Sequence, residues 1–368
     1  MKRILMLGPV PPPYGGIASL VDDMIHSDLP KEYAFEIFPR SEGYPPGMDG
    51  LLGRNLFRFR RFARFFGKCL FGNFDLVHIH SADIILWGTA IFVLLGKIAG
   101  KKVLLHIQGT DWNTFYESES AWRKFWKKTT LSLPAKIVVV YPLWEENIRK
   151  LGIKTDVTFI RNLVIPPPLP DRSEVDETRA GLCLTKDHFV VLMVGSVGER
   201  KGVFDLLKAV PKVVSQDDSV MFVLAGGEEH PGEMAQLMEI IEAEKIGPWV
   251  KVLGEVERDR VPRLLGLADL FILPSHAEGM PLAILEAMRS RVPIISTYAG
   301  GIPDTIQNEI SGLLVHPRSP EEIADAVLRL RKDDALRQRL ARRAEKEFEE
   351  KFAFSKGIDE IRSLYTSL

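Results

Sequence analysis

Short, uninterrupted apolar runs alternate with helical segments along the chain, and this alternation constrains the fold most. A strand that is apolar at every position must be covered on both faces, as the strands of parallel sheets are. We therefore predict an α/β protein built from parallel sheets with helices on both faces. The predicted strands are 4–7, 76–79, 103–107, 137–140, 157–160, 190–194, 220–224, 250–253, 270–273, 294–296 and 313–315. The predicted helices include 203–214, 233–244, 260–268, 282–290 and 321–331.

A proline-rich segment, 165–171, divides this pattern into two halves. Consecutive prolines remove backbone donors and favour extended polyproline geometry. We therefore predict a stiff connector between two doubly wound domains, 1–165 and 171–352, and a length of 368 residues fits two domains. The alternative is a surface loop within one domain. Ligands of such folds bind beyond the carboxyl ends of the strands, so the expected site is a cleft between the domains.

The formal net charge of −1 and the hydrophobic fraction of 46% exclude a uniformly basic nucleic-acid binder and a wholly disordered chain. This average conceals a difference, since residues 1–165 carry a charge of +7 and the remainder carries −8. Such asymmetry suggests two surfaces with different partners. The longest apolar run, 84–95, falls short of the roughly 20 residues that span a bilayer. We predict no transmembrane helix, and the apolar run 4–7 is too short for a signal peptide.

The segment 276–288 carries the strongest functional signal. It follows a predicted strand, and Pro281 suits the first position of a helix, where its missing N–H costs nothing. The free N–H groups near the helix start are suited to an anion. Glu286, more than a turn into the helix, could accept hydrogen bonds from two ribose hydroxyls, and Glu278 could face a sugar or a developing positive charge. The alternative is an ordinary helix start with two solvated glutamates. The candidate residues are Glu278, Gly279, Met280, Pro281, Leu282 and Glu286.

A glycine loop with adjacent cations follows the strand 190–194. Gly195, Arg200 and Lys201 in this loop are suited to a pyrophosphate. The alternative is a solvated loop. Gly15 and Gly16, after the first strand, would likewise let the backbone approach a ligand closely, unless they only form a flexible turn after three prolines.

These segments resemble the motifs of family-four glycosyltransferases. Glu278 and Glu286 match the paired-glutamate motif of that family, and the resemblance extends over nearly the whole chain through 11–17, 194–203, 291–304 and 312–315. It implies a GT-B fold, a nucleotide-sugar donor and retention of anomeric configuration. It also implies that domain 1–165 faces the acceptor, that domain 171–352 binds the donor, and that residues 353–368 pack back on the first domain.

The resemblance implies roles for single residues. Lys201 matches the diphosphate-binding lysine, but Ser196 stands where the family often has arginine, which leaves Arg200 as the candidate second cation. We therefore assign catalysis to Glu278, Lys201 and Arg200. The family commonly has histidine directly before the glycine at 109, where this chain has Gln108, so His106 and Gln108 are alternative contacts to the donor sugar. The assigned donor-binding residues are Gly15, Gly16, His106, Gln108, Asn162, Gly195, Lys201, Gly254, Glu278, Gly279, Met280, Pro281, Leu282 and Glu286.

The sequence predicts no metal site and no cofactor beyond the donor substrate. His78 and His80 have spacing that could suggest metal ligands, but no third ligand is evident. The two cysteines, Cys69 and Cys183, form no zinc pattern and fit a reducing compartment. The sequence also lacks an Asp-x-Asp motif, so we expect transfer without a required metal.

Segment 54–68 predicts a basic, aromatic helix whose cations fall on one stripe, opposite an apolar face formed by Leu56, Phe59 and Phe62. Cations with flanking aromatic rings suit anionic lipid headgroups. The alternative is an ordinary helix with its cations in water. We predict peripheral contact with the cytoplasmic face of the membrane, and nucleic-acid binding explains the cations less well. The assigned contact residues are Arg54, Phe57, Arg58, Arg61, Arg64, Phe65 and Lys68.

Together these features predict a retaining hexosyltransferase. It would move a hexose or N-acetylhexosamine from a nucleotide sugar, with a UDP-sugar favoured, to a lipid-linked or glycan acceptor in cell-surface polysaccharide or glycolipid synthesis. The alternative is a non-catalytic sugar-nucleotide-binding or regulatory protein on the same fold. A nicotinamide oxidoreductase is disfavoured because no Gly-x-Gly-x-x-Gly sequence follows the first strand.

Overall fold

The computed structural model describes residues 1–9, 16–39, 51–82, 86–109, 112–140, 142–161 and 168–368. They form two compact units, each with its own sheet. Unit 1 comprises Met1–Leu163 and Phe354–Leu368, and unit 2 comprises Val164–Ala353.

Each unit contains a six-stranded parallel sheet. The strands are β1 (Lys2–Gly8), β2 (Tyr33–Pro39), β3 (Leu76–Ser81), β4 (Lys102–Ile107), β5 (Lys136–Val139), β6 (Asp156–Phe159), β7 (Phe189–Val194), β8 (Val220–Ala225), β9 (Val250–Val252), β10 (Leu270–Leu273), β11 (Ile294–Thr297) and β12 (Leu313–Val315). Their order is β2-β1-β3-β4-β5-β6 in unit 1 and β12-β11-β10-β7-β8-β9 in unit 2. All eleven predicted strands are confirmed, and β2 is an addition.

Helices connect and cover these strands. They are α1 (Gly16–Ile25), α2 (Leu51–Phe71), α3 (Ile91–Ile98), α4 (Ala121–Leu131), α5 (Pro142–Lys150), α6 (Arg172–Gly181), α7 (Val203–Val214), α8 (Glu233–Ala243), α9 (Val261–Leu267), α10 (Leu282–Arg289), α11 (Ile302–Thr305), α12 (Pro320–Lys332), α13 (Asp334–Lys351) and α14 (Phe354–Ser367). No helix among the described residues is long and apolar enough to cross a membrane.

The sheet of unit 1 is buried on both faces, as its continuous apolar strands require. Leu5 and Ile79 point into one core, and Met6 and Leu104 point into the other. The second core also receives side chains from α14, including Ile361 and Tyr365, which are fully buried. The last helix of the chain therefore completes the core of unit 1.

Helix α2 buries Phe65, which the sequence assigns to membrane contact. Phe65 is 0% exposed and packs edge-on against Phe38 and Phe92, whereas Phe59 is 70% exposed. The prediction of membrane contact for Phe65 is therefore wrong, and Phe59, which belongs to the predicted apolar face, is exposed. Aromatic side chains lie on several sides of this helix, so their periodicity alone could not select the buried side.

Two of the predicted membrane-contact cations lie against the body of unit 1. Arg61 donates through Nη2 to the Pro39 carbonyl oxygen at 3.0 Å, and its guanidinium lies 5.8 Å from the centre of the Phe92 ring. Lys68 forms an ion pair with Glu36 of β2. Arg54, Arg58 and Arg64 are exposed. The basic stripe is thus divided between contacts to the protein and the surface.

Candidate active site

The loop after β7 brings two cations to the carboxyl edge of the sheet in unit 2. A short helical turn, Glu199–Lys201, is followed by Gly202, whose φ of 72° lies in the left-handed region. A Cβ at Gly202 would lie 1.9 Å from the Pro274 carbonyl oxygen, so only glycine fits between this loop and the end of β10. Gly202 therefore determines where α7 begins and places Arg200 and Lys201 beside the end of β10.

Both cations converge on one buried carboxylate. Glu278 is 5% exposed, and its Oε1 accepts from Lys201 Nζ at 2.5 Å and from Arg200 Nη1 at 3.4 Å. Ser275 Oγ donates to the same oxygen at 3.0 Å. A buried carboxylate is costly unless it is paired and hydrogen-bonded, and this cluster supplies both kinds of partner.

Arg200 also contacts a second carboxylate that the sequence reasoning missed. Its Nε donates to Glu229 Oε1 at 2.6 Å, and its Nη1 donates to the Ala277 carbonyl oxygen at 3.2 Å. Ser196 lies within 3.4 Å of Glu229 and contributes a hydroxyl where the family often has a cation. Glu229 follows β8 at the carboxyl edge of the sheet, and this position was the signal that could have identified it.

The segment from Gly279 to Leu282 leads directly into α10. Pro281 has extended backbone angles, φ −71° and ψ 119°, and forms the N-cap. The helix therefore begins at Leu282, as the predicted range 282–290 has it, and the expected place of Pro281 at the first helical position is wrong. Met280 is 5% exposed, and Glu286 is half-buried on the first turns of α10. The N–H groups at a helix start carry partial positive charge and favour an anion.

Other predicted donor-binding residues lie at strand ends. Gly195 directly follows β7, and Gly254 follows β9 with a φ of 68° and accepts a backbone hydrogen bond from Gly226 at 2.8 Å. In unit 1, Gly16 begins α1. Gly15 and Asn162 lie outside the described residues.

The two alternative sugar contacts of unit 1 differ in accessibility. His106 is 3% exposed and lies against His78 and His80, and burial lowers its pKa to about 3. Gln108 is only partly buried, and its Nε2 lies 3.0 Å from His80 Nδ1. The sequence showed no third histidine beside His78 and His80. The structure shows that His106 is this neighbour, because the pairing of β3 with β4 places it next to them.

A second polar pair lies behind the loop after β7. His276 Nε2 lies 2.6 Å from Asp205 Oδ2, and both side chains line a cavity of about 480 Å³ with Lys208 and Arg318. The sequence did not point to this pair. The contact between Asp205 and His276 fixes the start of α7 against the segment that carries Glu278.

The chain has relatives among known protein families and curated proteins. Residues 174–347 match the family of glycosyl transferases group 1. The chain is 28% identical over 256 residues to a putative teichuronic acid biosynthesis glycosyltransferase of Bacillus subtilis, covering 69% of this chain and 61% of that relative. It is 25% identical over 296 residues to an N-acetyl-α-D-glucosaminyl L-malate synthase of Bacillus anthracis, covering 80% and 74%. The match thus spans less than two thirds of the Bacillus subtilis protein.

Solved structures identify the architecture. HepE of Anabaena, solved with UDP and glucose, superposes with a TM-score of 0.80 at 18% identity, and the alignment covers 100% of both chains. Sucrose-phosphate synthase of Thermosynechococcus elongatus gives a TM-score of 0.78 at 17% identity, covering 100% of this chain and 99% of that one. The two parallel-sheet units therefore form a GT-B fold.

Proposed function

We propose that this chain is a group 1 glycosyltransferase that moves a sugar from a nucleotide-diphosphate donor to an acceptor in glycan biosynthesis. The observation that carries the proposal is the convergence of Lys201 and Arg200 on Glu278 at the carboxyl edge of the unit 2 sheet. Residues of both loops fall within the segment that matches the group 1 family. A site with two cations and one carboxylate suits the departure of a diphosphate from a sugar.

The cations stabilise the leaving group in this proposal. When the bond between the sugar and the diphosphate breaks, negative charge grows on the diphosphate oxygens. Lys201, Arg200 and the N–H groups from Gly279 to Leu282 are fixed donors for that charge, and fixed donors stabilise a transition state without reorganisation. The proposed transfer therefore requires no metal, because these groups supply the positive charge.

Glu278 and Glu286 have different tasks. The Glu278 carboxylate shares Lys201 and Arg200 with the incoming diphosphate, so it lies close to the sugar end of the donor in this proposal and stabilises an oxocarbenium-like charge. Glu286, half-buried on α10, binds the ribose hydroxyls. A paired-carboxylate hydrolase is disfavoured, since Glu278 is held by cations and has no water-activating role in this arrangement.

The remaining donor contacts are proposed from sequence position and accessibility. Gly195 and Gly254 let the backbone approach the nucleotide, and Gly15, Gly16 and Asn162 are proposed contacts of unit 1. Gln108 is favoured over His106 as the sugar contact, because His106 is 3% exposed and Gln108 is only partly buried.

We propose a hexose or N-acetylhexosamine donor, transfer with retention of configuration, and UDP as the nucleotide. Support for UDP comes from HepE, which was solved with UDP and glucose. Guanine is the competing base, since a Mycobacterium tuberculosis relative, 31% identical over 219 residues, is named a GDP-mannose-dependent mannosyltransferase.

The acceptor is proposed to be lipid-linked, with unit 1 docked on the cytoplasmic face of an anionic membrane. Exposed apolar side chains on α2 stand among exposed arginines: Leu52 is 84% exposed, Phe59 70% and Phe71 90%. On α4, Trp122 and Phe125 are 58% and 63% exposed. Basic helices with such side chains lie at the headgroup level of anionic bilayers.

Vesicle co-sedimentation tests the docking. Vesicles with phosphatidylglycerol should retain the protein, and pure phosphatidylcholine vesicles should retain much less. Phe59→Ser with Phe71→Ser should weaken retention. Met238→Ser, at a 50% exposed position on α8 of unit 2, serves as the control. Equal and negligible retention by both vesicle types would exclude the docking surface.

Turnover tests the transfer itself. UDP-, GDP- and ADP-sugars are incubated with alkyl glycosides carried in vesicles, and the released nucleoside diphosphate is measured. We expect one of the three sugar nucleotides to release its nucleoside diphosphate in the presence of the acceptor. The anomeric configuration of the transferred sugar, read from its anomeric proton by NMR, should be the same in the product as in the donor. A non-catalytic binding protein would bind the nucleotide without acceptor-dependent release, and an inverted product would exclude retention.

A further inference from the structure

Three histidine side chains meet on one face of the unit 1 sheet. His78 and His80 lie on β3 with the two-residue spacing that puts both on the same face, and His106 pairs with His80 in the register of β3 and β4. His78 and His80 are 0% exposed, and His106 is 3% exposed. We call these three residues the histidine cluster.

The rings are close enough to share a ligand. Ring centres are separated by 4.1 Å between His78 and His80, 5.0 Å between His80 and His106, and 5.6 Å between His78 and His106. One nitrogen from each ring lies within 4.8 Å of the corresponding nitrogens of the other two.

Several buried nitrogens of the histidine cluster lack a hydrogen-bond partner among the residues that the structure describes. They are Nε2 of His78 and both ring nitrogens of His106. Buried polar atoms are nearly always hydrogen-bonded, so orphaned nitrogens on neighbouring rings need a physical reason. A ligand that accepts lone pairs from several imidazoles at once supplies that reason.

Two neighbouring side chains contact the second ring nitrogen of a histidine, as hydrogen-bond partners of metal-bound histidines do in other proteins. Tyr365 of α14 lies with its hydroxyl 2.7 Å from His78 Nδ1, which leaves Nε2 for a ligand. The side-chain amide of Gln108 lies 3.0 Å from His80 Nδ1, and an amide can present its oxygen or its nitrogen there. Ligating histidines usually use their second nitrogen in this way, which fixes ring orientation.

We propose that His78, His80 and His106 bind a divalent transition-metal ion of the Zn²⁺ class, with Tyr365 and Gln108 as orienting residues. Three imidazoles without a thiolate suit Zn²⁺, Ni²⁺ or Cu²⁺ and not Mg²⁺ or Ca²⁺. Zn–N bonds of about 2.0–2.1 Å require the three nitrogens to draw together from their present spacing. The ion ties β3 to β4 within unit 1, whereas the donor-binding cations of the proposed glycosyl transfer lie in unit 2. Gln108 belongs to both proposals, as an orienting residue here and as a contact of the donor sugar there.

The first test uses the intact chain without a histidine tag. After dialysis against EDTA, the protein is titrated with Co²⁺ and its visible absorption is recorded. We expect one Co²⁺ per chain with the intense bands of a four-coordinate ion, and displacement by Zn²⁺. No saturable band would overturn the proposal.

Variants separate the histidine cluster from surface histidines. His106→Asn should abolish the band, whereas the triple variant His26→Asn, His230→Asn and His316→Asn, at positions away from the histidine cluster, should leave it unchanged. Tyr365→Phe should weaken Co²⁺ affinity about 10- to 100-fold. Tyr33→Phe is its matched control, since the Tyr33 hydroxyl contacts Arg362 and Thr366 and, within the described part of the chain, no histidine.

A measurement on the unmodified protein removes dependence on the folding of variants. X-ray absorption of the Zn²⁺-loaded chain should show three imidazole nitrogens at about 2.0–2.1 Å. Fewer imidazoles, or a Co²⁺ band that survives His106→Asn and is lost in the surface triple variant, would contradict the proposed site.

Discussion

Lys201 Nζ and Glu278 Oε1 lie 2.5 Å apart although 77 positions separate the two residues in the sequence. Their loops follow β7 and β10, which are neighbouring parallel strands, so both loops open at the same edge of the sheet. The site in unit 2 is therefore a consequence of strand order, which brings the loops after β7 and β10 together.

Lys201→Met should reduce turnover while preserving the length of the side chain. Loss of one fixed donor at a developing negative charge lowers kcat by roughly 100- to 1,000-fold. Nucleoside diphosphate release under steady-state conditions measures this effect. Lys212→Met is the matched control, because Lys212 pairs with Glu321 and Asp325 on the surface of unit 2 and should leave kcat unchanged.

Gly202→Ala should destabilise unit 2. The backbone there has a φ of 72°, and the new Cβ would lie 1.9 Å from the Pro274 carbonyl oxygen, so the loop must shift. We expect a loss of at least about 1–3 kcal/mol in the free energy of unfolding. Denaturant unfolding measures it. Gly181→Ala is the control, since a Cβ at Gly181 meets no atom of the described residues within 4 Å. Equal stability of both variants would contradict the described loop.

Two phenylalanines of α2 test which face of the helix is buried. Phe65→Ala should cost about 3–5 kcal/mol of unfolding free energy, because Phe65 is 0% exposed. Phe59→Ala should change that free energy by less than about 0.5 kcal/mol, because Phe59 is 70% exposed. Denaturant titration of both variants is the measurement, and the reverse order of effects would contradict the described packing of α2.

The two cysteines should differ in alkylation. Burial raises the pKa of the Cys69 thiol from 9.0 to about 12, and Cys69 is 0% exposed, whereas Cys183 is exposed. At pH 8, iodoacetamide should modify Cys183 and spare Cys69, as read by peptide mass spectrometry, and urea should abolish the difference.

The raised pKa of Cys69 also has a consequence for stability. Folding favours the neutral thiol, so this contribution is fully present below pH 9.0 and is lost as pH rises toward about 12. Cys69→Ala should therefore flatten the decline of stability with alkaline pH. An unchanged pH profile in that variant would mean that Cys69 does not contribute.

The strands of both sheets were predictable because their apolar runs are continuous and buried on both faces. β2 was not, since Tyr33–Pro39 contains Glu36 and is only half-buried at the sheet edge. The order of the strands was also needed to predict which loops meet. Glu229 contacts Arg200 because β8 lies beside β7, and no spacing in the sequence encodes that neighbourhood.

The histidines of unit 1 likewise show that contacts between strands cannot be read from sequence spacing. The spacing of His78 and His80 was visible, but His106 became their neighbour only through the register of β3 and β4. The buried side of α2 could not be predicted for a different reason. Several faces of this helix carry aromatic rings, and only the packing of Phe65 against Phe38 and Phe92 determines which face is buried.

Calorimetric titration with UDP, GDP and ADP tests the central claim most directly, because the proposed activity rests on a diphosphate bound at Lys201. We expect one of the three nucleotides to bind the unmodified chain at one site, Lys201→Met to weaken that binding at least tenfold, and Lys212→Met to bind normally. Absence of binding for all three nucleotides, or equal affinity in the Lys201→Met variant, would contradict the account.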